Sequence, residues 1–284
     1  MWSRNRANLY IRDALADFHP DPKALPSPIA QRKIYRNRLM VNHLVGFGGG
    51  ASVGEQGYSY KFDGTGDYLY ASDHADWNLG GNDFTVEAWV RIVNFANDSL
   101  LAQYDGGVTQ RAWNMELNDA NTFRFTISSD GSNDPIYIVD RTFSFSTLTW
   151  YHCMCVRNGN NLYHFVDGTQ VGATYDVTGI TVHDSTAKLT IGSYLHIDPG
   201  TYGNTNGNID EMRISDTARH TSGFTPPTVK YTSDANTKLL IHCEETKSGT
   251  TGSGATFTDS GNTGHTITEY GNAIEDQTLG KFAE

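Results

Sequence analysis

Cysteine is scarce in this 284-residue chain, which has only Cys153, Cys155 and Cys243. No CxxC pair and no Cys/His quartet occurs at zinc spacing, which excludes a zinc-finger or disulfide-stapled scaffold. Cys153 and Cys155 stand two apart on an expected strand, so they share a face but are too far apart to bridge comfortably. All three read as buried thiols of a protein folded in a reducing cytosol. Long apolar runs are also missing. No stretch reaches the roughly 18 consecutive apolar residues of a membrane span. The opening "MWSRNRANLYIRDALADF" has charges where a signal peptide needs an apolar core, which argues against Sec-type export. Long Leu/Ala/Glu/Lys runs are scarce, so the chain is not mostly helical. Sustained heptads are absent, which excludes a long coiled-coil shaft. The ten histidines form no HExxH pair, and there is no GxSxG elbow and no P-loop. "GFGGG" is glycine-rich but lacks the Lys-Ser/Thr of a phosphate cradle, and reads as a hinge.

What is present is the vocabulary of short strands and tight turns: 29 Gly, 15 Tyr and 13 Phe, with many Thr, Ser, Asn and Asp. From Tyr58 the pattern has period two. "YSYKF", "DYLYA", "FTVEAWVRI", "RAWNMEL", "TFRFTI", "IYIV", "LTWYHCMCVR", "NLYHFV", "KLTIGS" and "IDEMRI" read as strands between Gly, Asn and Asp clusters. Asp167-Gly168 marks a hairpin, because that turn needs residues that tolerate positive φ. The fold class is therefore all-β, an antiparallel two-sheet sandwich or jelly roll. Trp89, Trp113 and Trp150 alternate with apolar residues and are expected in the core, whereas Trp77 and Tyr104 fall in expected loops.

Charge divides the chain. Residues 1–50 hold eight basic and three acidic side chains, a net of +5, so against a total of −11 the remainder carries −16. Residues 1–45 read as a basic arm. "NLYIRDALADF" forms a short helix, Pro20, Pro22, Pro26 and Pro28 make an extended strap, and a second helix starts at Ser27-Pro28 and runs to about Leu44. Residues 46–57 are a Gly-rich hinge. A basic arm on an acidic body suits docking onto an acidic surface, with Arg32, Lys33, Arg36 and Arg38 as the anchoring residues. The charge of the body disfavours nucleic acid.

"FDGTGDYLYASDHADWNLGGNDFTVEAWVR", "WYHCMCVRNGNNLYHFVDGTQVG", "KLTIGS" and "GNIDEMRISDTARHTSGFTPPT" resemble laminin-G-like, concanavalin A-like jelly rolls. The resemblance is greatest to those in structural proteins of tailed bacteriophages, and it covers residues 58–284. It implies a jelly roll over 58–232. It also implies that 233–284, with "KLLIHCEE" and "ATFTDSGNTGHTIT", supplies strands that usually precede the "FDG" strand. The segment then closes its own domain as in a circular permutation, or closes a neighbour's.

Enzymes of this class carry paired carboxylates on one strand. Here Glu87 and Glu116 each stand alone, and Asp210 and Glu211 are adjacent and expected on opposite faces. The Arg, Gln, His and Tyr strands of lyases are not found, so a non-enzymatic protein is expected. Calcium is the one cofactor considered, with Asp63 and Asp67 on a Gly-rich turn and Asp210 at a strand start as ligands. A glycan site is expected in the loop 193–208, from Tyr194, His196, Asp198, Tyr202, Asn204 and Asn206, aromatic faces among planar polar groups. The leading expectation is a bacteriophage virion structural protein, a capsid decoration or tail-associated appendage assembled in the host cytoplasm. It would be oligomeric and held by the arm to other virion proteins. The alternative is a calcium-dependent carbohydrate-binding module for host surface glycans.

Overall fold

Alternation along the strands decides the architecture. In β3 (Phe84–Ile92), Phe84, Val86, Ala88, Val90 and Ile92 are buried in the main core, while Glu87 and Trp89 face the other way. The computed structural model describes residues 57–243, 256–276 and 278–282. The expected basic arm, with Arg32, Lys33, Arg36 and Arg38, lies outside the described residues, as does the hinge up to residue 56. The chain divides into two units, Met1–Val53 and Gly54–Glu284. The second is the sandwich.

Every stretch expected as a strand from residue 58 onward is one. In chain order, β1 is Ser59–Asp63, β2 Tyr68–Ala71, β3 as above, β4 Asp98–Asp105, β5 Gln110–Asp119, β6 Thr122–Ser128 and β7 Ile136–Thr142. Then come β8 Tyr151–Asn158, β9 Asn161–Val166, β10 Thr169–Gln170, β11 Tyr175–Asp176, β12 Leu189–Ile191, β13 Tyr194–Leu195 and β14 Thr201–Tyr202. β15 is Asn206–Ser215, β16 Thr237–Ile241, β17 Thr256–Thr258, β18 Thr266–Tyr270 and β19 Ile274–Asp276. The first sheet runs β10-β9-β8-β3-β15-β1-β19, with β11 on β9 and β16 on β15. The second runs β17-β18-β2-β12-β4-β5-β6-β7 and carries the β13–β14 hairpin.

Between the sheets, Cys153 and Cys155 of β8 meet Trp113, Met115 and Leu117 of β5 and Phe123 and Phe125 of β6 in one core. All three cysteines are buried and unpaired. Trp113 is in that core, but Trp89 packs in a separate cluster with Tyr231 and Leu240, and Trp150 is only partly buried against it. The 231–240 region and Lys281–Phe282 therefore cover the outer face of the first sheet. The C-terminal strands join both sheets of the same chain. β19 pairs with β1, β16 with β15, and β18 with β2, all antiparallel. The Asp167-Gly168 turn has φ of +48° and +73°, as the hairpin requires.

Candidate functional site

The segment after β12 is built around one carboxylate. Asp105, at the end of β4, accepts hydrogen bonds at Oδ1 from the Ile197 amide (2.7 Å) and the Gly107 amide (3.0 Å), and at Oδ2 from Asp198 (3.3 Å). Leu195 is buried, pairs in parallel with Asp105, and its carbonyl accepts from Gly106. The β13–β14 hairpin is thus fixed to the rim of the second sheet, with Tyr194 opposite Tyr202. Its aromatic rings gather on one surface. Tyr194 stands edge-on to Tyr104 at 5.3 Å, and His196 edge-on to Tyr202 at 4.7 Å. Tyr202 is 54% exposed. Asp198 forms an ion pair with Lys188 at 2.6 Å, and the Arg111 guanidinium lies 5.9 Å from the Tyr104 ring centre. Burial, with the nearby Glu116 charge, pushes the Tyr194 phenol up to about 12, so it remains a hydrogen-bond donor. The result is an open platform of ring faces edged by a phenol, an imidazole, a carboxylate and an ammonium. Such a surface suits a ring with one apolar face and equatorial hydroxyls.

A second concavity lies on the outer face of the first sheet. It is a cleft of about 920 Å³ lined by Trp89, Trp150, Pro226, Pro227, Lys281 and Phe282, among others. The Lys281 ammonium sits 4.2 Å from the Trp89 ring centre. Neither indole N–H of Trp89 and Trp150 has a hydrogen-bond partner. Beside it is a buried polar network. Glu87 accepts from Arg213 Nε at 2.7 Å, and its other oxygen lies 3.0 Å from His152 Nε2, which is 2.7 Å from the Tyr231 hydroxyl. Burial raises the Glu87 carboxyl, but the His152 hydrogen bond and the Arg213 charge outweigh it and hold it at about 2. Glu87 and His152 are essentially inaccessible to solvent. The network ties β3, β8 and β15 to the covering segment.

The family comparison agrees with this architecture: residues 63–222 match the model described as the concanavalin A-like lectin/glucanases superfamily. The chain belongs to this superfamily. No curated protein sequence matches it. Among solved structures, one similar to it is a provisionally assigned carbohydrate-binding protein from Bacteroides ovatus, with TM-score 0.56 and 16% identity. The alignment covers 79% of this chain and 60% of that protein, so the chain matches somewhat over half of its length. Ruminococcus gnavus sialidase CBM40, bound to α2,3-sialyllactose, aligns with TM-score 0.47 at 10% identity, over 59% of this chain and 95% of that one. Mouse laminin α1 domains LG4-5 align with TM-score 0.41 at 15% identity, over 60% and 47%.

In this concanavalin A-like sandwich the expected site residues fall in three places. Tyr194, His196, Asp198 and Tyr202 come together in the hairpin platform. Asn204 follows it half-buried, with a side-chain oxygen that lacks a partner. Tyr104 joins the platform from β4 rather than a loop, and Lys188 and Arg111 complete it. Trp77, expected in a loop, is fully buried in the core, in a short 3-10 turn.

The expected calcium ligands do not converge. Asp63 and Asp67 are neighbours, but their oxygens already accept from the amides of Thr65, Asp63 and Asn272. Asp210 lies four residues along β15 from Asn206, the partner of Asp63, roughly 13 Å away at strand rise. The expectation that Asp210 and Glu211 face opposite sides also fails. β15 bulges between Asp210 and Arg213, with Glu211 at φ +48°, and both carboxylates accept from the outer cover: Asp210 from the Lys281 amide, Glu211 from that of Tyr231. Among the described residues, the one group of metal-competent side chains with ligand atoms within 4.8 Å of one another is His74, Asp76 and His265. Sequence spacing could not reveal it, because His265 is 189 residues from Asp76.

Proposed function

We propose that the protein is a non-enzymatic carbohydrate-binding protein that holds a glycan on the β13–β14 platform. The observation that carries this is the exposed Tyr202 ring packed with the half-buried rings of His196, Tyr194 and Tyr104, on a hairpin fixed by Asp105 to a lectin-type sandwich. Two features favour binding over turnover. The exposed carboxylate of the platform, Asp198, is already paired with Lys188, and that of Asp105 is taken up by the hairpin amides. The Glu87–His152–Arg213 cluster is sealed from solvent, with its charges spent on one another. The test is a glycan array with the full chain, followed by calorimetric titration of the best glycan. Tyr202→Ala and His196→Ala should each weaken binding by at least about tenfold. Trp150→Ala, in the other cleft, should leave it unchanged. Loss of binding in Trp150→Ala with Tyr202→Ala intact would move the site to the cleft and reject the platform.

A second reading concerns where the domain is displayed. The split between a +5 arm and a −16 remainder favours a structural protein of a bacteriophage particle, a capsid decoration or tail-associated appendage anchored through the arm. The two readings coexist, since a particle appendage that binds sugar would use both ends. Charge reversal of Arg32, Lys33, Arg36 and Arg38 is the test of the anchor. Attachment that survives it rejects this reading.

A further inference from the structure

Asp76 lies in the one-turn 3-10 helix Ala75–Trp77 between β2 and β3. Its amide donates to Nδ1 of His74 at 3.1 Å, which sets the shape of the turn. His265 arrives just before β18, and its Nε2 is 2.8 Å from Oδ2 of Asp76. His74 Nδ1 is 3.4 Å from the same oxygen, and Thr263 Oγ1 donates to it at 2.5 Å. One ligand atom from each of the three residues lies within 4.8 Å of the others. Donor atoms around a tetrahedral zinc, with bonds of about 2.0–2.1 Å, stand roughly 3.3 Å apart, so the 2.8 and 3.4 Å separations from the Asp76 oxygen are near that spacing, and His74 Nδ1 would exchange its bond from the Asp76 amide for the ion.

Exposure is graded in a way that suits capture. The side chains of His265 and Asp76 are 9% and 15% exposed, and that of His74 is 44% exposed. Two ligands are held from below, and the third lies at the solvent side, which provides an entry path. Thr263 orients the carboxylate as an outer partner does in metal sites. Two imidazoles and one carboxylate select a transition metal over calcium or magnesium, which want oxygen donors. Three protein ligands leave a fourth position open, and a cleft of about 230 Å³ lined by Asp76, Asn78, Asp83 and Lys238, among others, adjoins the site.

We propose that His74, Asp76 and His265 bind a divalent transition-metal ion of the zinc class. The ion clamps the C-terminal segment that carries β17 and β18 onto the β2–β3 connection. Without metal, the His265–Asp76 and Thr263–Asp76 hydrogen bonds hold the same two segments less strongly. The site is remote in chemistry from the sugar platform and does not rest on that reading.

The experiment uses the full chain stripped with chelator. Zn²⁺ is titrated by calorimetry, and melting is followed with and without it. One Zn²⁺ should bind per chain, and at a hundredfold excess over Kd the Tm should rise by roughly 5–10 °C. Co²⁺ should give visible ligand-field bands that Zn²⁺ abolishes. The Trp77 ring is 4.5 Å from His265, so Cu²⁺ should quench its fluorescence. His74→Asn keeps a good cap for the turn and removes a ligand. Its metal-free Tm should match the wild type, with zinc affinity reduced at least about a hundredfold, and His265→Gln should lose the zinc response likewise. Absence of Co²⁺ bands, or a zinc-induced Tm rise as large in His74→Asn as in wild type, overturns the site.

Discussion

His164 stands between Leu162 and Val166 on β9, and all three point into the space between the sheets. Its ring meets Phe123 edge-on at 5.2 Å, and neither ring nitrogen has a hydrogen-bond partner. Burial, helped by the Arg141 charge, drives its pKa down to about 3 from an ordinary 6.5. Between these values the unfolded chain binds a proton that the folded chain refuses. Stability is therefore full above about pH 6.5 and falls as the pH drops toward 3. At pH 5 the penalty is about 2 kcal/mol. His164→Leu removes the titrating group at similar volume. The variant should lose less stability than wild type between pH 7 and pH 5, by that amount, in urea titrations. Equal losses would show that the imidazole is solvated or paired. Glu87 works in the opposite direction chemically but with the same slope. Its depressed carboxyl contributes stability above the ordinary 4.5, and this is lost as pH falls toward about 2.

Strands with clean alternation, such as "FTVEAWVRI" and "TFRFTI", were legible in the sequence because one face is apolar. β4 was not. In "DSLLAQYD" every residue but Tyr104 is buried, so periodicity has nothing to report. The hairpin at Asp167-Gly168 was legible from two residues, since positive φ restricts the choice. Gly168 has a second reason that no local pattern shows: a Cβ there would fall 1.9 Å from the Phe224 carbonyl oxygen. The platform was legible as a loop rich in Tyr, His and Asn, and Tyr104 as an aromatic residue expected in another loop, but Lys188 and Arg111 were not, because strand order brings them there. Glu87 was legible as a carboxylate with no second carboxylate beside it, but its partner Arg213 was not, being 126 residues away. The C-terminal strands offer the sharpest test at this scale. Ile267 of β18 is fully buried in the main core, alongside Leu69 of β2. If this segment is integral to the sandwich, Ile267→Ala should cost about 2–5 kcal/mol by denaturant titration, in a single transition. A cost under about 0.5 kcal/mol would make the segment an accessory to a domain that is complete without it.

At the scale of the whole molecule the charge split matters most. The sequence after residue 50 carries a net −16, and the first 50 residues are basic, with four of their eight cations clustered at Arg32, Lys33, Arg36 and Arg38. A like-charged body of −16 keeps copies apart unless the arm bridges them or reaches another acidic surface. Attraction of this kind is screened within about 10 Å at 0.1 M salt, so it should be strong at low ionic strength and weak at high. Sedimentation of the full chain should therefore show self-association, or co-sedimentation with an acidic particle surface, that falls as salt rises. Changing the four cations to Glu takes the first 50 residues from +5 to −3 by removing four positive and adding four negative charges. That variant should stay free at every salt concentration. It should still bind glycan with wild-type affinity, because none of the four residues belongs to the platform. Salt-independent association, unchanged by the reversal, would mean that apolar residues of the arm such as Ile34, Val41 and Leu44 make the contact and that the cations only solvate it.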